Sequence, residues 1–437
     1  MNKFFYHFTH LENLDSIIKN GLLCTNEKQK LEISHYNVAN KSIQGRRSEM
    51  DVISNGINYG KIHDFVPFYF STKNSMQLSI INQKKVDQPE LIFLGVETSL
   101  IKEQNLIFTD ASANTNFAPK FYTDFEHLDK LDWDLINSYK WSFTEEQRHK
   151  RMAEVLIQDF KFEFINHIVV FNKKYKEKVN KIFEDNQIVN KPKIEFEPVE
   201  NKRFYFTKFF IKGREGEDLV TGPKRFKATF ERLTDGTIES RKTKTHFKFK
   251  SISDLLSLLD IDFCCIPETE GIFQLETLND VHSNTVSDHT LEVVKNLKKN
   301  DSFKNLSVRN KEILLLSAYL HDIGKGPHSK WRYGKQPAYN DHPFDSLIYT
   351  QRILIEDIKE LSNEEIRMLN LLIGYHDILG DLSRDFRNTI ELKNVITTPE
   401  QIDLLYILSQ ADILSIRLDW YENLNSKFDE IKKKVLK

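Results

Sequence analysis

The chain opens with an aromatic run, Phe4-Phe5-Tyr6-His7-Phe8, and then changes period: Leu14, Ile17 and Ile18 share one helical face ahead of Gly21. That pattern predicts a short strand followed by a helix that a glycine ends. Val155-Leu156-Ile157 reads as an apolar strand that Glu154 begins. In the middle, alternation predicts strands over Arg203–Ile211, Arg225–Leu233 and Thr237–Lys250, with Asp235-Gly236 as a hairpin turn and a helix at Ser253–Leu259. Beyond 285 the period is helical. Leu314–Leu320 runs into His321-Asp322 and breaks at Gly324, and Leu404–Ile416 is apolar almost all round. Pro343, the capping box Ser362-x-x-Glu365 and Thr398-Pro399 mark helix starts.

The helical region holds the first candidate chemistry. Asp412 lies inside the apolar run 404–416. A buried carboxylate without a cation or strong donor costs several kcal/mol, so this one needs a partner. His289, His321, Asp322 and Asp412 suffice for one metal ion; His342 and His376 add imidazole for a second, with Asp322 as the bridge. The order His…His-Asp…His…His…Asp resembles the HD superfamily of metal-dependent phosphohydrolases over about 276–437. The resemblance implies an all-α domain, one or two divalent metals (Mn, Fe, Ni, Co, Zn or Mg) and a nucleotide or phosphoester substrate, with Lys325 in a catalytic role. Pro327–Asn340 is basic and aromatic; it reads either as a substrate-selecting loop over the site mouth or as a solvated loop.

The first 200 residues point elsewhere. The opening strand and helix carry His7, Thr9, Asn13 and Ser16. Ile43-Gln-Gly-Arg46-Arg47, Pro67-Phe-Tyr-Phe70…Met76, and Leu131-Asp-Trp133 followed by Arg151-Met-Ala-Glu154 come in order behind them. Together they resemble the DarT family, ADP-ribosyltransferases that modify bases in single-stranded DNA. The resemblance implies an α+β fold with NAD as co-substrate. Glu154 would face the developing ribosyl charge, and His7, Phe8, Thr9 and Ser16 would hold NAD. Arg47 would contact NAD phosphate and the acceptor base. No Gly-x-Gly-x-x-Gly turn or Walker loop occurs, so NAD must be held in another way.

Composition changes this picture little. A net charge of −2 gives no global nucleic-acid signal, and three cysteines give no disulfide framework. The absence of a long apolar run predicts a cytoplasmic protein that meets no membrane. Residues 201–250 are basic, with 14 Lys/Arg against 6 Asp/Glu, and phenylalanines interleave with the charge. They read as core phenylalanines under a solvated basic face; a single-strand-binding sheet is the alternative.

The expected architecture is multidomain: an α+β ADP-ribosyltransferase-like domain at 1–200, a small basic α+β connector at 201–275, and an all-α HD domain at 276–437. The Lys/Asn-rich stretch 173–202 is the expected first boundary. By family analogy the chain is a bacterial toxin or phage-defence effector acting on single-stranded DNA, with an antitoxin or regulatory partner. In the alternative reading, the HD domain senses a nucleotide without hydrolysing it.

Overall fold

The computed structural model describes residues 3–33, 35–38, 45, 47–113, 119–138, 140, 144–158, 160–196, 203–209, 221–278 and 284–437. The chain forms two compact units, Met1–Pro223 and Lys224–Lys437.

The first unit is built on strands β1 (Phe4–His10), β2 (Asp51–Ser54), β3 (Ile57–Lys61), β4 (Val66–Tyr69), β5 (Leu91–Glu97), β6 (Ile107–Thr109), β7 (Phe121–Tyr122), β8 (Glu154–Ile157), β9 (His167–Val170) and β10 (Lys193–Phe196). Eight of them form one mixed sheet in the order β10-β9-β5-β1-β4-β8-β6-β7, while β2 and β3 pair separately. Tyr69 of β4 stands opposite Tyr6 of β1 and opposite Glu154 of β8. The opening strand and the glutamate strand are therefore one strand apart. Helix α1 (Leu14–Asn20) follows β1 as expected and stops at Gly21, which has φ +77° and whose added Cβ would lie 2.6 Å from the Phe160 carbonyl oxygen. A short helix, α2 (Thr25–Lys30), comes next.

The Lys/Asn-rich stretch expected as a boundary is instead part of this unit. Helix α3 (Lys173–Asp185) buries Tyr175, Val179 and Phe183, and β10 extends the sheet edge. Phe204, Phe206 and Phe209 also belong to this unit's core.

The predicted hairpin at 225–250 is overturned. Helix α4 runs from Pro223 to Arg241, straight through Asp235-Gly236. Phe226, Thr229, Phe230, Leu233 and Thr237 follow a helical period and are buried. The Asp-Gly signal loses because distant residues satisfy this turn: Asn370 donates to Thr234 Oγ1 at 2.9 Å and Arg367 to Asp235 at 2.7 Å. The expected helix is present as α5 (Ile252–Leu259).

The rest of the second unit is mainly helical, with α6 (Val286–Lys299), α7 (Val308–Leu320), α8 (His342–Arg352), α9 (Asn363–Gly374), α10 (Ile378–Ser383), α11 (Pro399–Ile416) and α12 (Leu418–Leu436), and it carries one short parallel pairing of Glu276–Thr277 with Lys335–Gln336. The capping box at Ser362 forms as the sequence predicts, and the helix expected at Thr398-Pro399 starts there, with a second capping box completed by Gln401. Among the described residues no helix is long and apolar enough to cross a membrane.

Candidate active site and metal centre

In the first unit, His7, Phe8, Thr9, Ser16 and Arg47 line one cleft. His7 and Thr9 are two residues apart on β1 and so share a face. His7 Nδ1 lies 2.9 Å from the Pro67 carbonyl oxygen and donates to it. Burial pulls the imidazole down to about 4, against that hydrogen bond, so it is neutral near pH 7. With Nδ1 carrying the proton, Nε2 is left as an acceptor. Thr9 Oγ1 accepts from Asn13 Nδ2 at 3.0 Å, and the same amide donates to the Tyr36 carbonyl oxygen at 2.9 Å. Asn13 therefore ties the strand to the cleft's far wall.

Glu154 does not line the cleft. It is fully buried behind Arg47, whose two terminal nitrogens reach its carboxylate oxygens at 2.9 and 2.8 Å. The backbone N–H of Ala113 adds a third donor at 3.0 Å. Burial would lower the Arg47 pKa, but the carboxylate overrides it and holds the guanidinium above its ordinary range. This is a bidentate, charge-assisted pair, the strong kind. Arg46, the other member of the predicted arginine pair, lies outside the described residues.

In the second unit all six predicted ligands converge. The close approach of two segments makes this possible. A Cβ on Gly324 would lie 2.1 Å from the His342 carbonyl oxygen, so only glycine lets α8 pack onto the turn after α7. Ser346 staples them, accepting from Gly324 N–H at 2.9 Å and donating to the His321 carbonyl at 2.7 Å. On α11, Ser409 donates to the His376 carbonyl at 2.8 Å, one turn before Asp412.

The result is two imidazole pairs with Asp322 between them. His289 and His321 Nε2 are 3.3 Å apart, and His342 and His376 Nε2 are 3.1 Å apart. Asp322 Oδ2 lies 3.4 Å from both members of the first pair; Oδ1 lies 3.1 and 3.9 Å from His342 and His376. Asp412 approaches His289 at 3.1 Å. Asp377 lies 3.3 Å from His342 and 3.5 Å from His376. Asp377 was not among the expected ligands, although it makes His376-Asp377 a second His-Asp pair in the sequence.

The donors fit metal ions. His321, His342 and His376 each donate Nδ1–H to a backbone carbonyl, at 2.8, 2.7 and 2.7 Å. With Nδ1 so engaged, the rings turn their Nε2 atoms toward one another, an arrangement suited to a cation held between them. Asp322 Oδ1, 3.1 Å from His342 Nε2, is buried and has no hydrogen-bond partner. His289, His321 and Asp412 form one ligand-competent group, and His342, His376 and Asp377 another. Lys325, expected to be catalytic, donates to Asp322 Oδ2 at 2.6 Å. Within the loop 327–340, Lys330 is engaged with Gly324 and Asp345, at 2.8 and 2.5 Å, and Lys335 with Glu276 at 2.5 Å.

A mixed sheet with a Glu–Arg pair behind a cleft, followed by a helical unit with a His/Asp cluster, gives the chain two modules, each with its own buried polar centre. Comparison with known proteins gives both modules a family. Residues 6–206 match the family described as ssDNA thymidine ADP-ribosyltransferase, DarT, and residues 286–416 match the HD domain. A DNA ADP-ribosyl transferase of Thermus aquaticus is 31% identical over 210 residues, 46% of this chain and 88% of that protein. One from Thermus sp. strain 2.9 is 30% identical over 43% of this chain and 91% of that protein. A solved structure of Thermus sp. 2.9 DarT in complex with ADP-ribosylated ssDNA covers 47% of this chain and 96% of that one, at 26% identity and TM-score 0.42. The helical part is 26% identical to a bifunctional uridylyltransferase/uridylyl-removing enzyme of Ruegeria pomeroyi, over 36% of this chain but only 18% of that protein. The chain belongs to the DarT family of DNA ADP-ribosyltransferases and carries an HD domain behind the transferase.

Proposed function

We propose that the protein transfers ADP-ribose from NAD to a base of single-stranded DNA, with Glu154 stabilising the ribosyl charge as nicotinamide leaves. The observation that carries this is the rigid Arg47–Glu154 pair one strand from a neutral His7 and a positioned Thr9. His7 Nε2 and Thr9 Oγ1 hold the nicotinamide riboside end, and Phe8 and Ser16 complete that wall. Glu154 is shielded from the cleft, so Arg47 must shift when the ribose docks. Freed, Arg47 faces the acceptor base as well as the glutamate. The pair thus keeps the carboxylate ionised and pre-aimed until substrate replaces the arginine.

The HD unit reads as a metal-dependent phosphohydrolase. His289, His321 and Asp412 would hold one divalent metal, His342, His376 and Asp377 a second, with Asp322 between. Bound there, the metals would supply a low-pKa water and neutralise phosphate charge. A nucleotide signal, a DNA end or the attached ADP-ribose are the anionic substrates in view, and control of a toxic or phage-defence transferase is the role that fits a fused hydrolase. The sensing alternative gains from one observation: Lys325, Lys330 and Lys335 are each paired with a carboxylate of this chain. The division expected from sequence, with a separate connector at 201–275, is replaced in this proposal by two working modules on either side of residue 223.

The deciding experiment incubates the full chain with isotope-labelled NAD and random single-stranded DNA. A mass gain of one ADP-ribose on DNA is expected. Label on protein alone would refute the DNA-directed reading.

A further inference from the structure

A dinucleotide brings two negative phosphates into its site, and they need a counter-charge. Arg47 pairs with Glu154 through both terminal nitrogens and, once the ribose displaces it, turns to the acceptor base. Among the described residues Lys28 is the other Lys or Arg on the cleft wall, and no Asp or Glu lines it. It projects from α2, and Asn26 of that helix donates to Asp64 at 2.7 Å. That bond draws α2 onto the turn carrying His63, so Lys28 and His63 line the cleft together.

Three observations mark this wall as a ligand site. Among the described residues Lys28 has no carboxylate within ion-pair distance. His63 Nε2 is buried and has no hydrogen-bond partner. The Lys28 charge reaches His7, His35 and His63, each held below the ordinary histidine range chiefly by burial and further by this lysine. A half-buried ammonium on the same cleft wall as an unsatisfied ring nitrogen, with no carboxylate at ion-pair distance among the described residues, is an anion site in chemical terms.

We propose that Lys28, with His63 beside it, holds the diphosphate of the dinucleotide. The inference rests on the NAD reading of this cleft and adds the group that recognises the donor's charge. Lys28 acts as a uniform binding contact, since the diphosphate keeps its charge as the glycosidic bond breaks. Its loss should therefore fall on KM rather than kcat.

The test compares the full chain with Lys28→Gln and Lys28→Arg. Steady-state labelling gives KM for NAD, KM for the oligonucleotide and kcat; calorimetry gives the ADP-ribose affinity; nicotinamide product inhibition reports the other end of the cleft. Lys28→Gln should weaken both NAD and ADP-ribose about tenfold. Nicotinamide inhibition should not move, and Lys28→Arg should recover most of the loss. Unchanged ADP-ribose affinity overturns the proposal. So does a parallel loss of nicotinamide inhibition, which would mean a distorted cleft. A shift in oligonucleotide KM alone would assign Lys28 to a DNA phosphate and overturn it equally. A wild-type chain that labels DNA from NAD yet ignores Lys28 leaves the NAD reading standing; one that neither binds ADP-ribose nor labels DNA removes both.

Discussion

The two modules handle buried charge in opposite ways. In the transferase, Glu154 is satisfied by the chain itself, with two guanidinium donors and a backbone N–H. In the HD unit, four imidazoles point Nε2 at one another across Asp322, and one oxygen of that carboxylate has no hydrogen-bond partner. The first centre is complete before substrate arrives and must open to work. The second is arranged around guests that complete it. The pair's bidentate geometry and the added backbone donor offset its desolvation within the chain, whereas imidazole nitrogens and carboxylates that converge are completed by a cation. The difference teaches that removing one partner should unfold and silence the first centre, while changing the guest should tune the second.

The largest effect is expected at the pair. Glu154→Gln keeps the shape but removes the charge that Arg47 faces. DNA labelling should fall by roughly 10²–10³-fold. Stability should drop by about 3 kcal/mol, because a buried guanidinium is left unmatched. Urea melts and single-turnover labelling report the two losses separately. A variant of normal stability would show that Arg47 finds another partner, and one of normal turnover would remove Glu154 from the chemistry.

Next comes Asp322→Ala in the other centre. It touches both imidazole pairs, so elemental analysis should find the divalent metal lost, where the wild type holds one to two ions. Melting temperature should fall with it, since binding to the folded state alone stabilises that state. DNA labelling should persist. Full metal content in the variant would break the contrast between the centres.

How far these centres were readable in the sequence differs by the range of the signal. The opening strand, the stop at Gly21, the apolar strand after Glu154, the capped helix leading to His376 and the helix carrying Asp412 rest on neighbours within a few residues, and each forms as read. Helix α4 was misread for the same reason: Asp235-Gly236 is a strong local turn signal, and the side chains that overrule it, Arg367 and Asn370, lie more than 130 positions away. The Arg47–Glu154 pair spans 107 positions, so both residues were visible but their bond was not. Arg47 was read as a contact to NAD phosphate and the acceptor base; in the structure without substrate it pairs with Glu154. Asp377 was legible as the acid following a ligand histidine; nothing local distinguished it from an ordinary helix cap.

A smaller effect should appear in the pH dependence of the transferase unit. His7 stays neutral down to about 4, burial being the main cause, whereas an unfolded histidine protonates near 6.5. Between those values the unfolded chain binds the extra proton, so stability is full above pH 6.5 and falls as pH drops toward 4. The gap sets an upper bound of about 3 kcal/mol, reduced by partial exposure of the ring. His7→Gln should flatten this part of the profile, read as the difference between urea melts at pH 7 and pH 5. Equal slopes in the two proteins would mean that His7 is protonated in the fold, and it could not then present Nε2 as an acceptor.

The smallest expected effect isolates how the metal centre aims its ligands. Three of its histidines donate Nδ1–H to backbone carbonyls that no substitution can remove. His289 differs. Its Nδ1 lies 2.9 Å from Ser415 Oγ, and that hydroxyl donates to the Asp412 carbonyl at 2.6 Å, so it accepts the imidazole proton. Ser415 therefore sets the tautomer that leaves His289 Nε2 bare. Ser415→Ala frees the ring to carry its proton on either nitrogen. Affinity for a transition metal in the group that includes His289 and Asp412 should drop about tenfold, the usual scale for losing an outer hydrogen bond to a ligand. The group containing His342, His376 and Asp377 should keep its affinity. Competitive titration of the apoprotein with Mn or Zn resolves the two. Equal weakening of both would mean that Asp322 couples them into one site, and no weakening would mean that packing alone orients His289.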